Sequence, residues 1–173
     1  MGMKVSLEEI SYIIGFIIIL ALTLVLYLAR KKEPKGRLIQ GFVGICGGVV
    51  TMFSLFLPWI YVELSGGISL TGLEIGEAFI YVLNNQFLKA ISYFLLLASI
   101  LIIVGGFIHV LGYKIGKKTI ETAAGLSLFI SVVVIIGLSF IPIGTLHIII
   151  ESSPFYYVFG AFLGVISTRL ERT

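Results

Sequence analysis

The chain has 173 residues, 58% of them hydrophobic and only 12% charged, with a formal net charge of +3 and a mean hydropathy of +1.13. Soluble domains are about 45–50% apolar and about 25% charged, so an ordinary water-soluble domain is excluded and an integral membrane protein is expected. All nine acids are Glu, and the single cysteine, Cys46, lies inside an apolar run, which excludes an intrachain disulfide. The basic excess reads as a determinant of membrane orientation and not as a nucleic-acid surface. Ile dominates the aliphatic residues, a composition that points toward a thermophilic or archaeal source.

A helix needs about 20 apolar residues to cross a bilayer core of about 30 Å. Five runs meet that length: 10–29, 38–57, 90–111, 122–141 and 146–167. The first follows MGMKVSLEE and ends in the basic stretch ARKKEPKGR, with no small-residue cleavage site, so it reads as a retained span and not a signal peptide. Arg30, Lys31, Lys32, Lys35 and Arg37 follow span one, Lys114, Lys117 and Lys118 follow span three, and Arg169 and Arg172 follow span five. Ten of the twelve basic residues thus fall on one side, leaving Lys4 and Lys89 on the other with Glu8, Glu9, Glu63, Glu74, Glu77 and Glu151. The positive-inside bias puts the ten in the cytoplasm, the N-terminus outside and the C-terminus inside.

The loop at 58–89 is the only sizeable segment expected outside the bilayer. Pro58 lacks an N–H and ends span two, and Trp59 stands at the boundary, where an amphipathic indole is favoured. The alternating, β-prone residues 59–64 and 68–71 flank Ser65-Gly66-Gly67, which predicts a β-hairpin. A lone two-stranded hairpin is marginal in water, so it must lean on the outer ends of the spans or on a partner. Leu73, Gly76, Ile80 and Leu83 then recur at helical spacing, predicting a short outer helix broken at Asn84-Asn85. The alternative is one long helix over 75–111.

A span ending in Trp59, a short β element with Gly72-Leu73, an outer helix and three further spans resembles the claudin superfamily in layout. The likeness covers 38–168, with the first span as an N-terminal addition. It implies a four-helix bundle bearing an extracellular sheet, and contact rather than catalysis. Glu74 stands where the family has a second Trp, the Trp-to-Gly spacing is shorter, and the paired loop cysteines are absent. The same phrase is also similar to small prokaryotic membrane proteins.

Small residues let helix backbones approach closely in lipid. Gly41, Gly44 and Gly48 share a face of span two, Gly160 and Gly164 do so in span five, and Gly105-Gly106 lies in span three, so these are expected at helix contacts within the bundle or in a dimer. His109 and His147 fall toward opposite ends of their spans and have no Cys, Asp or Glu at zinc-site spacing. Structural roles are expected for both, and a small buried apolar role for Cys46. No nucleophile–base set or metal cluster is visible, and the glycines of span two lack the Lys-Ser/Thr of a P-loop.

The fold expected is therefore an all-α membrane protein of five transmembrane helices, N-out and C-in, with an extracellular β-hairpin and short outer helix between helices 2 and 3. It divides into 1–37, a transmembrane helix with its basic cytoplasmic loop, and 38–173, a claudin-like bundle. The function expected is that of a non-enzymatic scaffold, adhesion element or accessory subunit without cofactor. Its partners would be membrane lipids and other membrane subunits or a second copy, with no nucleic acid. Trp59, Tyr61, Glu63, Gly72, Leu73, Glu74 and Glu77 are the candidate contact residues, and Arg30, Lys31, Lys32, Lys35 and Arg37 the candidates for topology or anionic headgroups. The alternative is a small oligomeric channel or transporter component lined by residues such as Ser99, Ser131 and Ser139, although no ionisable group lies mid-span.

Overall fold

The computed structural model describes residues 35–63, 67–76, 86–140 and 147–170. The first span, Arg30 to Lys32, the Ser65-Gly66 turn, Glu77 and Asn84-Asn85 lie outside the described residues. In chain order the elements are helix α1 (Lys35–Ser54), strands β1 (Pro58–Glu63) and β2 (Ile68–Thr71), a helical turn at 72–76, helices α2 (Gln86–Val110) and α3 (Lys114–Phe140), strand β3 (His147–Ile150) and helix α4 (Ser153–Ser167). Among the described residues three helices are long and apolar enough to cross a membrane: 36–54, 89–110 and 114–139.

Glycine sets how these helices meet. A Cβ on Gly48 would stand 2.9 Å from the Ile103 nitrogen and 3.1 Å from the Ser99 carbonyl, while one on Gly41 would stand 3.0 Å from the Gly106 carbonyl, so α1 and α2 run antiparallel in backbone contact. Gly47 and Gly160 face each other in the same way, a Cβ on either lying within 2.7 Å of the other's carbonyl or closer, which packs α1 against α4. Gly105 meets Gly116 across α2 and α3, and Gly164 meets Ala124 across α3 and α4. The four helices thus form a closed antiparallel ring. Without a hydrophobic force between helices in lipid, association depends on this close packing. Gly47 and Gly116 join the glycines expected from sequence.

Polarity is distributed inside out. Buried positions include Gln40, Thr51, Ser54, Ser99, Ser127, Ser131 and Ser167, whereas Leu97, Val104, Phe129, Ile136, Phe159 and Phe162 are exposed. This arrangement suits lipid and not water. The buried hydroxyls donate into their own helices: Thr51 to Gly48, Ser99 to Leu95, Ser127 to Ala124, Ser131 to Leu128 and Ser167 to Gly164. They are satisfied within their own helices.

The expected hairpin is one part of a three-stranded antiparallel sheet of order β2-β1-β3. The run at 146–167, read from sequence as a single span, divides into β3 and the 15-residue α4. At about 1.5 Å per residue α4 is about 22 Å long, short of the bilayer core. The chain changes state at Glu151-Ser152-Ser153-Pro154, where Pro154 occupies the first helical turn and needs no N–H partner. In contrast, α3 begins at Lys114, eight residues before the apolar run at 122. Gly112 takes φ +99 in the α2–α3 turn, where a Cβ would also stand 2.9 Å from the Arg37 guanidinium.

Two glycine substitutions separate contact from mere composition. Gly47→Ala forces a Cβ to within 2.6 Å of the Gly160 carbonyl and is expected to destabilise the bundle by about 1–3 kcal/mol. Gly125→Ala meets nothing within 4 Å and should be neutral or stabilising by up to about 1 kcal/mol. Thermal unfolding of the two variants in one detergent checks the difference.

Candidate functional site

The sheet is seated on one end of the bundle, opposite the end that carries Arg37, Lys114, Lys118 and Arg169. The register joins Ile60, Tyr61 and Val62 of β1 to Leu70, Ser69 and Ile68 of β2 on one side, and to Ile150, Ile149 and Ile148 of β3 on the other. Side chains alternate across a sheet. Ile60, Val62, Leu70 and Ile150 therefore share the inner face, where they pack against the core with Leu55, Leu95 and Leu138. Tyr61, Ser69 and Ile149 form a row across the outer face, with Ile149 51% exposed.

Strict alternation would send Trp59 outward with Tyr61. The register instead slips between Pro58 and Ile60, so that β1 spends two residues against one step of β2. This is a β-bulge, which re-aims a side chain. Trp59 and Ile60 are consequently buried in succession, Trp59 to 1% exposure. The indole Nε1 donates to the Ser54 carbonyl at 2.8 Å and meets the Tyr157 ring edge-on at 5.8 Å. Tyr157 Oη in turn donates to the Leu95 carbonyl at 2.9 Å. The indole leaves no room at Gly72, where a Cβ would stand 2.7 Å from Nε1.

The seven contact residues expected from sequence divide accordingly. Trp59 and Gly72 lie inside the end of the bundle, and Leu73 is packed partly against the same core. Glu74 is exposed but engaged: its carboxylate accepts from the Thr71 N–H and hydroxyl, both at 3.0 Å, while Thr71 Oγ1 accepts from the Glu74 N–H. This is a capping box, and Thr71-x-x-Glu74 was a legible signal for it. Tyr61 lies on the outer row and Glu63 is exposed at the end of β1, whereas Glu77 is outside the described residues. The sequence reading missed Ser69 and Ile149, the latter because β3 was taken as part of a span.

Gly67 has φ +61, and a Cβ there would collide with the Tyr61 ring, so this glycine both turns the chain and leaves room for the outer tyrosine. Neither outer edge of the sheet carries a further strand among the described residues. The β2 edge, Ile68-Ser69-Leu70-Thr71, has none of the lysine or proline with which exposed edges are commonly blocked.

At the other end, His109 Nε2 and Gln40 Oε1 lie 2.7 Å apart, both residues buried, and join α1 to α2. Interhelical polar contacts of this kind hold spans in register, consistent with a structural role for His109. The side chain of His147 is outside the description, and its backbone pairs with Glu63. No group of His, Cys, Asp or Glu that could hold a metal ion occurs among the described residues.

A scan of family models and searches of curated proteins and of solved structures return no match to this chain.

Trp59 is the only tryptophan, so intrinsic fluorescence reports on the sheet end directly. Emission is expected to be blue-shifted and poorly quenched by acrylamide. Gly72→Ala should shift it to the red as the indole is displaced. Trp59→Phe should cost about 1 kcal/mol for the hydrogen bond to Ser54, and Trp59→Ala about 3–5 kcal/mol, measured by thermal unfolding in detergent.

Proposed function

We propose that the chain is a five-span membrane protein of claudin-like layout that works by contact rather than catalysis, as a scaffold, adhesion element or accessory subunit. Its working surface is the outer face of the sheet with its two edges. The observation that carries this reading is the row Tyr61, Ser69 and Ile149 beside a β2 edge that pairs with no further strand among the described residues, on a sheet whose inner face packs into the core. A partner strand can add to such an edge through main-chain hydrogen bonds, while Tyr61, Ser69 and Ile149 supply side-chain contacts. The interior favours this reading over the channel, because the buried hydroxyls are spent on their own helices.

The orientation proposed is sheet outside, basic end in the cytoplasm, with the N-terminus outside and the C-terminus inside. Lys114, Lys117 and Lys118 at the start of α3 and Arg169 after α4 stand at one end, and the loop chemistry follows the positive-inside bias. The occupant of the sheet surface is another membrane subunit or a second copy of this chain.

Three measurements test the proposal. In a Cys46→Ser background, Glu63→Cys should react with a membrane-impermeant maleimide added to intact cells, and Lys118→Cys only after lysis; the reverse pattern inverts the topology. In the same background, Ser69→Cys should give a disulfide or cross-linked adduct in native membranes, while Val132→Cys on α3 should not. Ile149→Arg should weaken the Ser69 adduct about tenfold, as loss of a contact worth about 1–2 kcal/mol would do. Ion flux through liposomes containing the purified chain alone, with no adduct at Ser69, would sink the contact reading in favour of a channel.

A further inference from the structure

A second surface lies on the outer seam of α2 and α3, away from the sheet face. The two helices are in backbone contact at Gly105 and Gly116, where a Cβ on Gly105 would stand 3.1 Å from the Gly116 carbonyl. From that level toward the sheet end the seam widens into a groove of about 350 Å³. Ala98 and Ala123, both buried, form its floor, and Leu101 and Leu126 form its walls. Lys118 and Thr122, both exposed, stand at its mouth on the basic end. The small floor residues are what keep the groove open: a larger side chain at either alanine would fill it.

Polarity is graded along this groove. An ammonium at Lys118 is followed one helical turn later by the hydroxyl of Thr122, and beyond it the lining is hydrocarbon. Phosphate, ester and acyl chain follow in the same order along a glycerophospholipid whose headgroup sits at the basic end. The neighbouring carboxylate, Glu121, pairs with Arg169 at 2.9 Å. Lys114 adds a further positive charge, and the first turn of α3 contains no acidic residue, so the positive end of the helix dipole reinforces the lysines. Ammonium groups near a membrane surface attract anionic lipid through the same electrostatics.

We propose that this groove binds one acyl chain of an anionic glycerophospholipid, with the phosphate on Lys118, the ester region at Thr122 and the chain along Ala98 and Ala123. The assignment rests on the reading of the chain as membrane-spanning and is independent of what the sheet contacts. A lipid seated there would cover the α2–α3 seam on the sheet side of the Gly105–Gly116 contact.

The test uses the full chain, extracted in mild detergent, delipidated and titrated with dioleoyl phosphatidylglycerol or dioleoyl phosphatidylcholine, with bound lipid counted by native mass spectrometry. Phosphatidylglycerol should be retained in preference to phosphatidylcholine. Lys118→Gln should lower retention of phosphatidylglycerol about fivefold and leave phosphatidylcholine unchanged. Thr122→Trp, which fills the groove from an exposed position, should lower retention of both. Phe159→Trp, exposed on α4, should alter neither, and it controls for surface changes in general. Equal retention of the two lipids, or indifference of phosphatidylglycerol to Lys118→Gln or Thr122→Trp, overturns the proposal while leaving the membrane reading intact. Recovery of the chain in the soluble fraction overturns the membrane reading and the proposal together.

Discussion

The Trp59 indole meets nearly every element at the sheet end of the bundle. It donates to the last turn of α1, lies edge-on to Tyr157 of α4, rests on Gly72 in the turn after β2, and shares a core with Leu95 of α2 and Leu138 of α3. Burying this large a ring requires that its one polar atom be satisfied, and the Ser54 carbonyl does so. The sheet is thereby fixed in height and tilt relative to the helices. Without that anchor, three short strands would be left with only their inner aliphatic row to hold them.

The interior changes character along its length. Toward the basic end the helices touch through Gly41, Gly105, Gly106, Gly116 and Gly164, where main chains approach too closely for a Cβ. Toward the sheet, the space between helices is filled by Leu55, Trp59 and Tyr157. Small residues let helices pinch together and large ones hold them apart. The groove lies on the α2–α3 seam, on the sheet side of Gly105 and Gly116.

This division also separates the duties of the two ends. The sheet end turns its inner face to the core and leaves an outer row and two edges, a geometry suited to main-chain recognition. The opposite end carries Lys114, Lys117, Lys118 and Arg169, along with the buried contact between Gln40 and His109 that ties α1 to α2. The tryptophan core ties the sheet to all four helices.

Much of this was written in composition and spacing. The apolar runs at 38–57, 90–111 and 122–141 lie over α1, α2 and α3, Pro58 ends the first of these, and the alternation at 59–64 and 68–71 marks two real strands. Helix faces of small residues were legible because a helix repeats every 3.6 residues whatever surrounds it. Local chemistry ran out where a partner in space decides the outcome. His147 to Ile150 is a short apolar run, which periodicity alone cannot assign to strand or helix; pairing with residues 60–63 made it a strand. Trp59 looked like an interfacial residue, and only a bulge against β2 turned it inward. Thr71 and Glu74 carried a readable capping box, which the likeness to Gly-Leu motifs obscured. The sequence by itself determined which segments are apolar enough for lipid and where charge collects, since those are sums over side chains. The tertiary structure decided which residues face inward, because register and bulge depend on hydrogen bonds between segments distant in the chain.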